Sequence, residues 1–285
     1  MRLRGIIKVI TTLALSFVIM ATVAGVEMAT VSITLIALYA WLGEYIALWR
    51  VKAIPEDKLD AYEKSKLQRI KETVAKRIKN KYGEDISNIR LHIMPSDDAN
   101  GMAYGFYNVS ITRGALEACD ELTLCGILSH EASHILCLDS VFNRIIFGDI
   151  TAVILGLMFV SFASVVAIWI VFFVLALCGI CRGFLSVFIT STLSKGVKAF
   201  FEVIQHCSLV IYQITIAAVS RQFEYRADQL AVDLGFGVQL SYFLSRFADH
   251  QDGRMRSLSE ILYASHPATH LRIEKIKQKQ IGSRK

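Results

Sequence analysis

Hydrophobic residues along this chain come in long blocks separated by strongly charged ones. A first apolar run covers Ile6 to Val26 behind Arg2, Arg4 and Lys8, and a second, Met28 to Trp49, follows almost at once. Two runs of about 20 residues, split only around Gly25, Val26 and Glu27, predict a transmembrane hairpin. A cleaved leader is disfavoured, because no clear small-residue cleavage site follows the first run. The N-terminal basic residues and Arg50 with Lys52 flank the same side, which the enrichment of Lys and Arg at cytoplasmic span ends makes the cytoplasm. The third run, Ile150 to Cys181, holds no charged residue over 32 positions. As a helix it would reach about 48 Å, longer than a hydrocarbon core of about 30 Å. The fourth, Ala199 to Val219, is interrupted by Glu202, Gln205 and His206.

Residues 51–148 are polar in character. Pro55, Glu56 and Asp57 predict a helix start, since Pro suits the first turn and acids favour the positive end of the dipole. Leu59, Tyr62, Leu67, Ile70, Val74 and Ile78 then recur at helical spacing. The opposite face carries Lys64, Lys66, Arg69, Lys71, Lys76, Arg77 and Lys79, a solvated face or one that meets anionic lipid headgroups. Gly83 ends this helix. Ile89 to Met94 alternates like a strand, Tyr104 to Thr112 reads as another, and a short helix from Arg113 leads to Asp120, an N-cap for the next helix. From Ser220 the chain is polar again and ends in a basic tail, Lys275 to Lys285. The segments expected are residues 1–50, a membrane hairpin; 51–148, the first part of a catalytic domain; 149–219, two further spans and their loop; and 220–285, the second part of the catalytic domain.

Composition fits this division. Of 285 residues 54% are hydrophobic, and the mean hydropathy is +0.45, above what soluble domains show. The net charge of +6 reads first as a topology signal. Without a groove-reading motif or interleaved aromatics it does not point to nucleic acid. Arg182, Lys195 and Lys198 fall in the loop between the last two runs, against the positive-inside tendency, and Phe184 to Thr192 is a candidate interfacial segment. The six cysteines (Cys119, Cys125, Cys137, Cys178, Cys181 and Cys207) lack the paired spacing of a zinc ribbon or a disulfide framework and read as small hydrophobes.

Chemistry concentrates in HEASH, His130 to His134. Positions i and i+4 of a helix share a face, so both imidazoles can address one ion, while Glu131 beside the first can reach a water on that ion. Catalytic zinc takes a third protein ligand and keeps an open position. EYRAD, Glu224 to Asp228, offers Glu224 as that ligand, with Asp228 one turn behind to accept a hydrogen bond from a ligand histidine. A surface acid paired with Arg221 or Arg226 is the plainer alternative for Glu224. The two motifs must meet, so an even number of spans has to separate them. The third and fourth runs supply two.

HEASH, SRQFEYRAD (Ser220 to Asp228), the N-terminal hairpin and the two later spans together resemble the HtpX-like membrane metalloproteases, relatives of the type I CaaX prenyl proteases. SHPATHLRI, Ser265 to Ile273, resembles the family's His-Pro-Pro...Arg-Ile element, with Ala268 in place of the second proline. Asn100 to Ala103 resembles its Asn-Ala-Phe-Ala segment, with Gly101 and Met102 departing. The resemblance implies a mainly α integral membrane protein of four transmembrane helices plus a cytoplasmic zincin-like α+β catalytic domain with a small sheet. It implies one Zn2+ per chain and a gluzincin-type endopeptidase acting on membrane or misfolded polypeptides in protein quality control, in a bacterial inner membrane. A processing peptidase for one prenylated or other membrane substrate, or a non-catalytic metal-binding scaffold, are the alternatives. A substrate strand would dock against the edge from Asn100 to Tyr107, with Asn100 and Ala103 as candidate contacts, and His266, His270 and Arg272 are candidates to stabilise the transition state.

Overall fold

The computed structural model describes residues 1–180, 183–247 and 267–282; the side chains of residues 184, 185 and 282 are outside the description. The chain is mostly helical, with a small mixed sheet. The opening helices α1 (Arg2–Ala24) and α2 (Val26–Arg50) pack on each other across Gly25, whose φ of 88° makes the reversal. After the short strand β1 (Ile54–Pro55) and a single 3-10 turn (Glu56–Lys58), α3 runs from Ala61 to Tyr82. The helix thus starts later than Pro55 predicts. Asp60 is extended, and its carboxylate accepts the Glu63 amide at 2.8 Å, satisfying a free N–H of the first turn. Gly83 ends α3 in the left-handed conformation that a side chain would disfavour.

The sheet follows as β2 (Arg90–Met94), β3 (Gly101–Tyr104) and β4 (Asn108–Thr112), in spatial order β1-β2-β4-β3. β2 and β4 are parallel from Arg90↔Asn108 to Met94↔Thr112, and the other two pairs are antiparallel. The stretch read as one strand, Tyr104 to Thr112, is therefore the end of a hairpin. Gly105, at φ 61°, turns the chain, and β3 becomes an edge strand. β4, paired on both sides, is buried at every position.

Short α4 (Arg113–Ala118) is capped by Thr112, and α5 (Glu121–Leu136) by Asp120, whose carboxylate accepts Thr123 N at 2.8 Å. α5 is enclosed by a core of Leu67, Ile70, Val74 and Ile78 from α3, Leu91 and Ile93 from β2, Val109 and Ile111 from β4, and Leu240 and Leu244 from α8 (Gly237–Phe247). α9 (Thr269–Gly282) packs against α8. Two long helices complete the chain, α6 (Asp139–Leu177) with 39 residues and α7 (Phe184–Asp233) with 50.

Residues 1–146 with 216–285 form one compact unit and residues 147–215 a second. Among the described residues four helices are long and apolar enough to cross a membrane, namely α1, α2, α6 and the stretch Ser186–Asp233 of α7. Their large apolar side chains, such as Ile10, Val18, Leu35, Phe159, Phe173 and Phe200, are exposed in the chain alone. At about 58 Å and 75 Å, α6 and α7 exceed a bilayer core. Phe184 to Thr192 is continuous with the rest of α7. Cys119, Cys125 and Cys137 are buried, as small hydrophobes would be, whereas Cys178 and Cys207 are exposed; Cys181 lies outside the described residues.

Candidate metal centre

His130 and His134 lie on α5, one turn apart, and their Nε2 atoms face each other at 3.2 Å. The Glu224 carboxylate, from α7, closes the third side, 3.4 Å from His130 Nε2 and 3.6 Å from His134 Nε2. All three donor groups fall within 4.8 Å of one another. The remaining ring nitrogens are committed elsewhere. His130 Nδ1 is 3.0 Å from Asp228 Oδ1, and His134 Nδ1 is 2.9 Å from Asp139 Oδ2. With each Nδ1 held by a carboxylate, the two Nε2 atoms face each other and Glu224, an arrangement satisfied by a proton on Nε2 or by a cation that all three donors share. Two nitrogens about 2.0–2.1 Å from a tetrahedral zinc would be about 3.3–3.4 Å apart. The donor chemistry and spacing therefore fit a divalent ion of that kind.

The surroundings balance the charge. Arg272, on α9, gives Nε and Nη2 to Asp228 at 2.8 and 2.6 Å and places Nη1 3.0 Å from Glu224 Oε2. Burial opposes the Arg272 charge, but the Asp228 contact outweighs it and raises the guanidinium pKa. Burial likewise disfavours the His130 imidazolium, yet the hydrogen bonds it donates to the Asp228 and Glu224 carboxylates push its pKa up to about 10 without a metal. Arg226, one of the two partners expected of a surface Glu224, contacts Asp139.

A cleft of about 1260 Å³ opens over these residues. Its described lining includes Asn100, Gly101, Met102 and Ala103, together with Glu131, Phe243 and Arg272. Glu131 is buried, and a Cβ placed on Gly101 would lie 3.4 Å from its Oε1, so β3 runs directly beside this carboxylate. Asn100 is paired through its backbone with Thr112, and the Ala103 carbonyl accepts from Ser140 Oγ at 2.9 Å. His270 is exposed, and His266 lies outside the described residues. Arg272 is engaged by two carboxylates, an arrangement that favours holding Glu224 and Asp228 in place over stabilising a transition state.

Asp139 escaped the sequence reading. It follows His134 by five positions, off the i+4 repeat, and reaches back across a turn in which Leu138 adopts φ 54°. The same φ value in a pattern search is invisible, since Leu is not a residue that announces a left-handed turn.

Three comparisons place the chain. The crystal structure of S. mikatae Ste24p superposes with a TM-score of 0.53 at 17% identity, over 93% of this chain and 61% of that one, which is a likeness of fold. A protease HtpX homolog of Fusobacterium nucleatum is 23% identical over 222 residues, 68% of this chain and 63% of that protein. The chain thus spans less than two thirds of the length of either. The profile of peptidase family M48 matches residues 61–280, from the start of α3 into the last turn of α9. This chain belongs to peptidase family M48.

Proposed function

We propose that the chain is an integral-membrane zinc endopeptidase that cleaves membrane or misfolded polypeptides, with four spans and its metal centre on the cytoplasmic side of a bacterial inner membrane. The observation that carries this reading is the meeting of His130, His134 and Glu224 in one cleft that also contains Glu131. One zinc ion held by the three ligands would lower the pKa of a bound water toward about 7 and polarise a peptide carbonyl. Glu131 does not belong to the ligand triad and faces the same cleft, so it serves as the base that takes a proton from water and later gives one to the leaving amine. A scaffold keeping a structural metal has no use for that carboxylate. Asp228 and Arg272 hold His130 and Glu224 in register. β3, at the sheet edge along the cleft, offers main-chain groups to an extended polypeptide, a mode tolerant of sequence. Leu240, Phe243 and Leu244 give the substrate's apolar side chains a wall to rest on.

The cytoplasmic placement is supported by Arg2, Arg4, Arg50 and Lys52 around the first hairpin. Two long helices separate the ligand motifs, which returns Glu224 to the side of His130. The test is Glu131→Gln in the full chain. Zinc content is expected to stay at one per chain while cleavage of unfolded casein falls by about 10²–10⁴-fold. Unchanged cleavage would remove Glu131 from this role.

A further inference from the structure

α1 ends up inside the metal centre's support. Lys8 Nζ lies 2.8 Å from Asp139 Oδ1, and the other oxygen of that carboxylate holds His134 Nδ1 at 2.9 Å. Asp139 is buried, so its orientation is decided by these partners and by Arg226. The Lys8 ammonium also packs against two adjoining rings, 4.8 Å from the Phe142 ring centroid and 4.2 Å from that of Phe223. One turn earlier, Gly5 is buried, and a Cβ there would come within 2.7 Å of the Cys137 carbonyl at the end of α5. α1 can approach that closely only with glycine at this position, and the approach sets the register that delivers Lys8 to Asp139. Leu138, between Cys137 and Asp139, sits at φ 54°, a conformation that side chains other than Asn and Asp rarely adopt. Such strain persists where surrounding contacts over-determine it. Four separate features, a close helix approach, an ammonium packed on two rings, a strained turn and a shared carboxylate, therefore converge on His134.

We infer that Lys8 is a positioning residue for the metal centre: by holding Asp139 in the orientation that fixes His134, it makes the site's affinity for its metal depend on the docking of the first apolar helix. The inference rests on the reading of His130, His134 and Glu224 as metal ligands. It extends the site beyond residues 61–280, the part that the family profile matches. A displaced α1 would leave Asp139 Oδ1 without its cation, so that Arg226 and His134, both on Oδ2, alone orient the carboxylate, and the hold on the His134 tautomer would loosen.

The experiment measures zinc affinity of the full chain in detergent by competition with a colorimetric chelator, alongside the visible spectrum of the Co2+-loaded chain. Asp139→Asn is expected to weaken zinc binding by about 10–100-fold. Lys8→Met is expected to weaken it by about threefold or more and to alter the Co2+ spectrum, whereas Lys8→Arg restores both. Adding Lys8→Met to Asp139→Asn should cost nothing further, because the lysine acts through that carboxylate. Arg4→Met, which removes a charge from an exposed position of the same helix, should bind as the parent does. Full affinity in Lys8→Met or Asp139→Asn, or additive losses in the double variant, would overturn the inference while leaving the metal site standing. Failure of Lys8→Met to fold where Arg4→Met folds would also overturn it, by making the lysine a determinant of the fold. A parent chain that binds no zinc would sink the metal reading itself.

Discussion

The two histidines of HEASH are supported by the same device from opposite directions. His130 leans on Asp228, which Arg272 grips with two hydrogen bonds. His134 leans on Asp139, which Lys8 and Arg226 grip. On the His130 side every partner comes from the polar C-terminal part, α9 and the end of α7. On the His134 side the partners come from α1, the start of α6 and α7. Both sides draw on the end of α7, but the first is completed by α9 and the second by α1 and the start of α6, two of the helices long and apolar enough to cross a membrane. A carboxylate behind each ligand is what metal chemistry asks for. What differs is which part of the molecule has to be in place to supply it.

The sharpest way to break the His130 side is Arg272→Met. It leaves Asp228 and Glu224 buried without their cation, and removing one partner of a buried ion pair costs about 3–5 kcal/mol. Urea unfolding of the metal-free chain should show that loss, and a change under 1 kcal/mol would mean that water reaches these carboxylates freely. Next in size, Asp228→Asn should weaken zinc binding by about 10–100-fold, in a chelator competition. If it does so and Asp139→Asn does not, the symmetry between the two sides is only geometric.

The pH dependence comes third. The His130 pKa is raised to about 10 in the folded, metal-free chain. Its stabilising contribution is complete below the unfolded value of about 6.5 and disappears as pH climbs through 10. Zinc must displace that proton, so affinity should rise about tenfold per pH unit between 7 and 9. A flat profile there would mean His130 is already neutral before the metal arrives. The smallest effect expected is Asp120→Ala at the N-cap of α5, about 1 kcal/mol in thermal or urea unfolding, with zinc affinity nearly unchanged. A large fall in affinity would show that α5 is held more by its cap than by the core around it.

Legibility in the sequence followed the range over which the physics acts. Apolar runs longer than a bilayer core announce α1, α2 and the long apolar stretches of α6 and α7, because lipid solvation is read residue by residue. Asp120 and Gly83 act over three or four positions and appear where a local rule places them. HEASH and EYRAD are i, i+4 patterns, and their faces could be drawn before any fold was known. Features that depend on tertiary contact did not show. Lys66 belongs by spacing to the charged face of α3, yet it is buried and donates to the Leu116 carbonyl at 2.6 Å. Glu63 is likewise buried, paired with Arg113 at 2.6 Å. Tyr104 to Thr112 alternates well enough for one strand, and only the partner on each side reveals that Gly105 folds it into a hairpin. Asp139 and Lys8 are 131 positions apart, and nothing local to either one points to the other.

Zinc-edge X-ray absorption of the purified full chain, compared with Glu224→Ala, bears most directly on the central claim. The account predicts one zinc per chain, coordinated by two imidazole nitrogens and carboxylate oxygen at about 2.0–2.2 Å without sulfur, and zinc well below one per chain in the variant. Sulfur in the coordination shell, or full occupancy after Glu224→Ala, would contradict it.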